Sequence, residues 1–125
     1  MHVKNWSLIY PDGRNPELAP AYDFLSTLTY VSGAETMALS LAGTKHFQDV
    51  SEKLLTHFAE KIGLPMEIVL ESARDTAQKT VEAWSDLRGR LDIPEPMKQA
   101  IDKHMREVPL IKASDRPKTR AQPLR

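Results

Sequence analysis

The 125-residue sequence has no cysteine, only five glycines, 6% aromatic residues and a net charge of zero. The lack of cysteine excludes a disulfide framework, a thiolate zinc site and a cysteine nucleophile, and we expect a cytoplasmic protein. No apolar run approaches the ~18 residues of a membrane span, and the N-terminus lacks the apolar stretch of a secretory signal. The length and the 41% apolar content predict one domain with a modest core.

The balanced charge is unevenly distributed along the chain. Residues 1–48 carry three basic and four acidic groups, residues 49–108 carry nine and twelve, and residues 109–125 carry five and one. Because the basic excess is confined to the end of the sequence, a uniformly basic surface is excluded and we expect no direct nucleic-acid binding. Residues 109–125 are polar, basic and proline-containing, which predicts a disordered tail.

Residues 1–48 form the first predicted region, a hairpin followed by an irregular stretch. Residues 6–10 favour a strand, residues 11–16 are dense in turn formers, and residues 17–19 can return as a second strand that Pro20 ends. Apolar and polar residues alternate over residues 36–41, which indicates a further strand. Residues 43–47 do not have the spacing of a phosphate-binding P-loop, so we interpret them as a plain loop.

Residues 49–108 form the second predicted region, which carries three amphipathic helices. Ser51 is a plausible N-cap of the first helix, and Gly63 stands where its C-terminal glycine should be. Pro65 begins a second helix that should end near residues 88–90, and Pro109 should stop a third over residues 97–108. His104 lies on the apolar stripe of the third helix, so we interpret it as a packed side chain and not as a metal ligand.

Asn5 and Asp23 are the candidate site residues that the hairpin would bring together. Asn5 precedes the first strand and Asp23 follows the second, so both should lie at the open end of the ribbon. An amide oxygen and a carboxylate are hard ligands suited to Mg²⁺, with phosphate oxygens completing its coordination shell. The alternative is that both are ordinary turn or cap residues.

Two blocks of sequence resemble the C-terminal lobe of HipA-like serine/threonine kinases, which are the toxins of type II toxin–antitoxin modules. The first block matches the family pattern at His2, Lys4, Asn5 and Ser7, and the second matches it at Leu18, Pro20, Tyr22, Asp23 and Ser26. The resemblance implies a mainly α fold, the helical C-terminal lobe of a protein-kinase-like fold with an N-terminal β-hairpin. It also implies that Asn5 and Asp23 bind Mg²⁺ with ATP, and that His2 and Lys4 contact the transferred phosphate or orient the substrate hydroxyl.

The resemblance also predicts that this chain is inactive alone. The family's catalytic aspartate, five residues before Asn5, would fall before Met1, and the ATP-covering N-terminal lobe has no counterpart here. Three function classes follow: an inactive kinase fragment, a module that binds the antitoxin or the N-terminal kinase lobe, and an unrelated small helical protein. In the first class, we expect exposed apolar surface and self-association.

Overall fold

The computed structural model describes residues 5–23, 27–30 and 36–114, and most of them are helical. This confirms the predicted fold class, a mainly α chain with an N-terminal β-hairpin. The elements in chain order are β1 (Leu8–Ile9), β2 (Glu17–Leu18), β3 (Thr36–Leu41), β4 (Thr44–His46), α1 (Glu52–Ile62), α2 (Met66–Leu87), α3 (Glu95–Glu107) and α4 (Pro109–Ser114). No helix in these ranges has the length and apolar character needed to cross a membrane.

The first hairpin pairs β1 with β2 in antiparallel register, with Leu8 opposite Leu18. Its tip is held by Asp12, whose carboxylate accepts hydrogen bonds from the backbone amides of Arg14 at 2.9 Å and Asn15 at 2.7 Å. These amides stabilise the charged form, so they lower the pKa of Asp12. The turn residues noted in the sequence therefore do form the tip of the predicted ribbon.

A second hairpin, which the sequence did not predict as a pair, joins β3 to β4. The strand over residues 36–41 was expected, but Thr44–His46 was interpreted as loop and is instead β4, with Thr44 opposite Leu41. Ala42 and Gly43 make the turn with φ values of 49° and 103°. Both residues have the positive φ of a tight hairpin turn, which returns the chain directly onto β3.

Helices α1 and α2 begin and end close to the predicted residues. The Ser51 hydroxyl accepts a hydrogen bond from the Leu54 amide at 3.3 Å, so the predicted N-cap is confirmed. Gly63 follows α1 with a φ of 69°. The backbone amide of Leu64 then donates a hydrogen bond to the Ala59 carbonyl at 3.0 Å. This left-handed ending reverses the chain and lets α2 pack against α1.

Residues 109–114 correct the prediction for the end of the chain. Pro109 ends α3, as expected, but it also begins α4, because proline fits the first position of a helix. Helix α4 packs on α2 and α3, and the Leu110 amide donates to the Val50 carbonyl at 3.0 Å. The expectation of disorder is therefore wrong for residues 110–114. Residues 115–125 lie outside the described residues, and the division into residues 1–48, 49–108 and 109–125 stays a prediction.

The buried core of the described residues is small and lies among the helices. It consists of Leu55 and Ala59 of α1, Ala77 of α2, and Val108 just before α4. The first hairpin adds no buried side chain. The core that the sequence predicted is therefore present in the helical half, and the hairpin lies outside it.

Two side-chain contacts hold α3 in place. The His104 ring meets Phe47 edge-on with centroids 4.6 Å apart, and its partial burial lowers its pKa, which fits the predicted packed histidine. The second contact is made by Asp102, whose carboxylate accepts hydrogen bonds from the Trp84 indole at 2.8 Å and from Arg88 Nε at 2.9 Å. Together these contacts connect α3 to the turn before α1 and to the end of α2.

Candidate functional site

The candidate site lies at the open end of the first hairpin. Pairing continues past the two strands, because the Ala19 amide donates to the Ser7 carbonyl at 2.9 Å. This extra bond holds residues 5–7 and 19–23 side by side. The Asn5 side-chain amide then donates to Asp23 Oδ2 at 2.7 Å. The predicted meeting of these two residues, separated by 18 positions in the chain, is therefore observed.

Asp23 has a left-handed backbone, with a φ of 58°. Aspartate is among the few non-glycine residue types that adopt this conformation with some frequency, and such residues are found often at functional sites. The conformation turns the chain immediately after the hairpin, where the Asp23 carboxylate reaches Asn5. A local backbone feature and a long-range hydrogen bond thus position the same side chain.

The pair has the chemistry of a partial Mg²⁺ site. The amide oxygen of Asn5 and the carboxylate of Asp23 are oxygen donors of the kind that suits a hard cation. No group of three or more His, Cys, Asp or Glu side chains that could hold a metal occurs within the described ranges. Mg²⁺ is nevertheless compatible with two protein ligands, since it keeps several waters and binds substrate phosphates.

The space that the described residues leave beside Asn5 is small. A hollow of about 40 Å³ is lined by Asn5, Trp6, Ser7, Leu18, Ala19, Ala21 and Tyr22. Ligand sites for drug-sized molecules usually enclose ~300–1,000 Å³. The hollow can hold a water molecule or an ion, but it cannot enclose a nucleotide base.

The other predicted site residues cannot be placed. His2 and Lys4 lie outside the described residues, as does Ser26 of the second block. Trp6 and Tyr22 lie within the two family blocks, but the sequence predicted no role at the site for either; both line the hollow with more than two fifths of their surface exposed. An aromatic residue next to each proposed ligand was the signal that could have identified them.

The family comparison decides what this chain is related to. Residues 1–84 match the HipA-like C-terminal domain, and this range contains both Asn5 and Asp23. The chain belongs to the HipA-like C-terminal domain family. The resemblance found in the two sequence blocks is thereby confirmed, and the unrelated helical protein is excluded. The matched range of this HipA-like chain ends in α2, before α3 and α4.

Curated relatives of the HipA-like chain carry kinase names. A Sinorhizobium fredii protein named "Putative kinase Y4dM" is 41% identical over 110 residues, which are 88% of this chain and 27% of the relative. A second protein from that organism, named "Putative kinase Y4mE", is 29% identical over 66% of this chain and 19% of its own length. A Haemophilus influenzae protein named "Putative kinase" is 24% identical over 77% of this chain and 32% of its own length. The chain thus spans less than a third of each relative, and no solved structure matches it.

Proposed function

We propose that this chain provides the metal-binding end of the active site of a HipA-like serine/threonine kinase toxin. The observation that carries the proposal is the 2.7 Å contact between Asn5 and Asp23, the two residues that the family pattern assigns to Mg²⁺. Membership of the HipA-like family and the kinase names of its relatives support the same reading. In a kinase, an asparagine and an aspartate of this kind hold the Mg²⁺ ions that bridge the ATP phosphates.

Each proposed site residue of the chain would have its own role. The amide oxygen of Asn5 and the carboxylate of Asp23 would hold Mg²⁺, which neutralises charge on the phosphates when it is bound. The left-handed backbone at Asp23 keeps its carboxylate beside Asn5. His2 and Lys4 would contact the transferred phosphate or orient the substrate hydroxyl.

We also propose that the chain does not transfer phosphate by itself. The hollow described beside Asn5 is far too small for the base and ribose of ATP, which supports their binding by other parts of a kinase. Phosphoryl transfer depends on positioning ATP and substrate together. Steady phosphate transfer from ATP to a protein by this chain, abolished by Asp23→Ala, would contradict this part of the proposal.

A thermal melt tests the metal half-site. The purified chain is melted with Mg²⁺ alone, with ATP and a chelator, and with Mg²⁺ and ATP together. A ligand that binds only the folded state increases the free energy of unfolding, by about 2.7 kcal/mol when its concentration is 100 times its Kd. The melting temperature therefore rises. We expect a rise with Mg²⁺ and ATP together, and no rise for Asp23→Asn, which keeps the size and turn preference of the side chain.

Glu17→Gln is the matched control, because Glu17 is a carboxylate of the same hairpin that lies away from the pair. It should melt and respond to Mg²⁺ and ATP like the unmodified chain. A rise that survives Asp23→Asn would show that the ligand binds elsewhere. The absence of any rise in a chain that melts cooperatively would contradict an independent metal half-site.

A second candidate function is a protein-binding module, and the exposed first hairpin favours it. Trp6, Leu8, Tyr10 and Leu18 are each more than half exposed. Large exposed apolar patches usually mark surfaces that bind other proteins. The partners to test first are the antitoxin and the N-terminal kinase lobe, and a change in oligomeric state on mixing would support this function.

A further inference from the structure

An open groove of about 860 Å³ runs between α1, α2 and α4, and it is separate from the proposed metal site. Its apolar lining is provided by Met66 and Leu70 of α2 with Leu110 and Ala113 of α4. Its charged lining consists of four carboxylates and one guanidinium, a net charge of −3. These are Glu52, Glu67, Glu71, Asp75 and Arg74. The groove therefore combines apolar surface with an acidic wall.

Some of the groove charges are neutralised within the described residues and some are not. Arg74 donates to both oxygens of Glu52, at 2.6 and 2.7 Å, and Lys79 donates to Asp75 at 2.7 Å. Glu67 and Glu71 have no ion pair with any described residue. They are exposed one helical turn apart on α2, where like charges repel each other. A cationic occupant would relieve this repulsion.

The chain itself carries basic residues directly after the end of the groove. Ser114 lines the groove, and residues 115–125 follow it with four basic groups and one acidic group, a net charge of +3. Arg116 comes two residues after Ser114, so its Cα lies no more than ~7 Å from that of Ser114. The net charge of this basic segment, residues 115–125, is equal and opposite to that of the groove lining.

We propose that the basic segment binds back into the α1–α2–α4 groove, with Arg116, Lys118 and Arg120 facing the acidic wall. Proline has a fixed φ and disfavours helical backbone at the residue before it, so we expect the segment to bind in an extended form around Pro117. In an extended chain, alternate side chains share a face and stand ~6.6–6.8 Å apart. Glu67 and Glu71, the lining carboxylates without an ion pair among the described residues, are four residues apart on α2, which is a rise of ~6 Å. The two charge rows therefore match in sign and in spacing.

This binding goes beyond the proposed kinase function and does not depend on it. The groove lies among α1, α2 and α4, and α4 lies outside the range that matches the family. The proposed ion pairs between the basic segment and the groove are exposed to solvent. Each pair therefore stabilises the bound segment only slightly, and salt weakens all of them. Attachment to α4 compensates, since a short connection raises the effective concentration of the segment to about the millimolar range.

Zero-length crosslinking of the full chain tests this proposal. A carbodiimide joins a lysine amine to a carboxylate only where the two groups touch, and Lys118 is the sole lysine of the basic segment. We expect products that join Lys118 to Glu67 or Glu71, detected by mass spectrometry after digestion. Glu60 and Glu82 are the reference carboxylates, because they are exposed on α1 and α2 but do not line the groove. The yield at Glu67 and Glu71 should exceed theirs several-fold, and should fall several-fold in 1 M salt, where screening acts within ~3 Å.

A matched pair of variants tests the charge match. Arg116→Gln with Arg120→Gln removes two charges of the segment and should lower the Lys118 products with Glu67 and Glu71 several-fold. Arg90→Gln with Arg106→Gln removes two charges outside it and should leave the yield unchanged. Equal yields at the reference carboxylates, insensitivity to salt, or equal effects of both variants would overturn the proposal. A 1:1 mixture of ¹⁴N- and ¹⁵N-labelled chains completes the test, because mixed-isotope products would show that the segment binds a second copy.

Discussion

Asp102 shows how a single carboxylate can hold two helices together. It accepts from Trp84 and Arg88 of the α2 end, and Arg88 also reaches Glu95 at the start of α3 at 2.7 Å. These partners lower the pKa of Asp102, with the Arg88 hydrogen bonds as the largest cause and the Trp84 indole as the next. The ionised carboxylate is thus stabilised by the fold.

We predict that Asp102→Asn lowers the melting temperature by a few degrees at pH 7. A carboxylate whose folded pKa is lowered contributes stability above its unfolded value of about 3.8 and loses it as the pH falls through the folded pKa. The difference between the two proteins should therefore shrink once the pH falls below about 3.8 and be lost below the folded pKa. Thermal melts at pH 7 and at pH 3 measure it, and a difference that does not change with pH would contradict the assigned role.

The β3–β4 hairpin is the element in which backbone conformation matters most. Its turn places Ala42 at a φ of 49° and Gly43 at 103°. A left-handed backbone costs an ordinary L-residue ~1–2 kcal/mol, whereas glycine adopts it freely and asparagine tolerates it better than alanine does. The turn thus has one well-suited residue and one strained residue.

We predict that Ala42→Asn stabilises the fold by several tenths of a kcal/mol, because Asn-Gly is the preferred pair for such a turn. The free energy of unfolding, from chemical denaturation, measures the effect. Gly43→Ala is the opposing variant and should destabilise the fold by about 1 kcal/mol or more, since its backbone requires positive φ. Loss of stability in both variants would show that the turn is not positioned as described.

At the scale of the whole molecule, the described residues bury few side chains and expose many apolar ones. Four of the described residues form the buried core, and all of them belong to the helical half. Leu8 and Leu18 face each other across the first hairpin and are 57% and 61% exposed. Such a surface favours association over a monomer in water.

We predict that the chain self-associates through the first hairpin. Sedimentation velocity over a range of concentrations should show a growing oligomer, and Leu8→Thr with Leu18→Thr should shift the chain toward monomer while keeping the strand preference of both positions. Ile62→Thr with Ile68→Thr is the control, because these residues are similarly exposed in the helical half. A strictly monomeric chain, or a control pair that dissociates the oligomer equally well, would contradict the prediction.

The sequence by itself determined the elements whose signals are local. Ser51, Gly63 and Pro65 mark helix ends through their own backbone and side-chain preferences, and turn formers mark the tip of the first hairpin. The two family blocks identified Asn5 and Asp23 as well. These features need only neighbouring residues or a short matching motif, which is why the predicted helices and site pair agree with the structure.

Only the tertiary structure decided which distant groups meet. Helix α4 was predicted to be part of a disordered tail. Its six residues are stabilised by contacts with α2, α3 and Val50, and the composition of the segment does not show these contacts. The same holds for β4, which forms only by pairing with β3. It also holds for the hydrogen bonds that Asp102 accepts from Trp84 and Arg88. Each of these depends on contacts between separate elements, whose free energy appears only once the chain has packed.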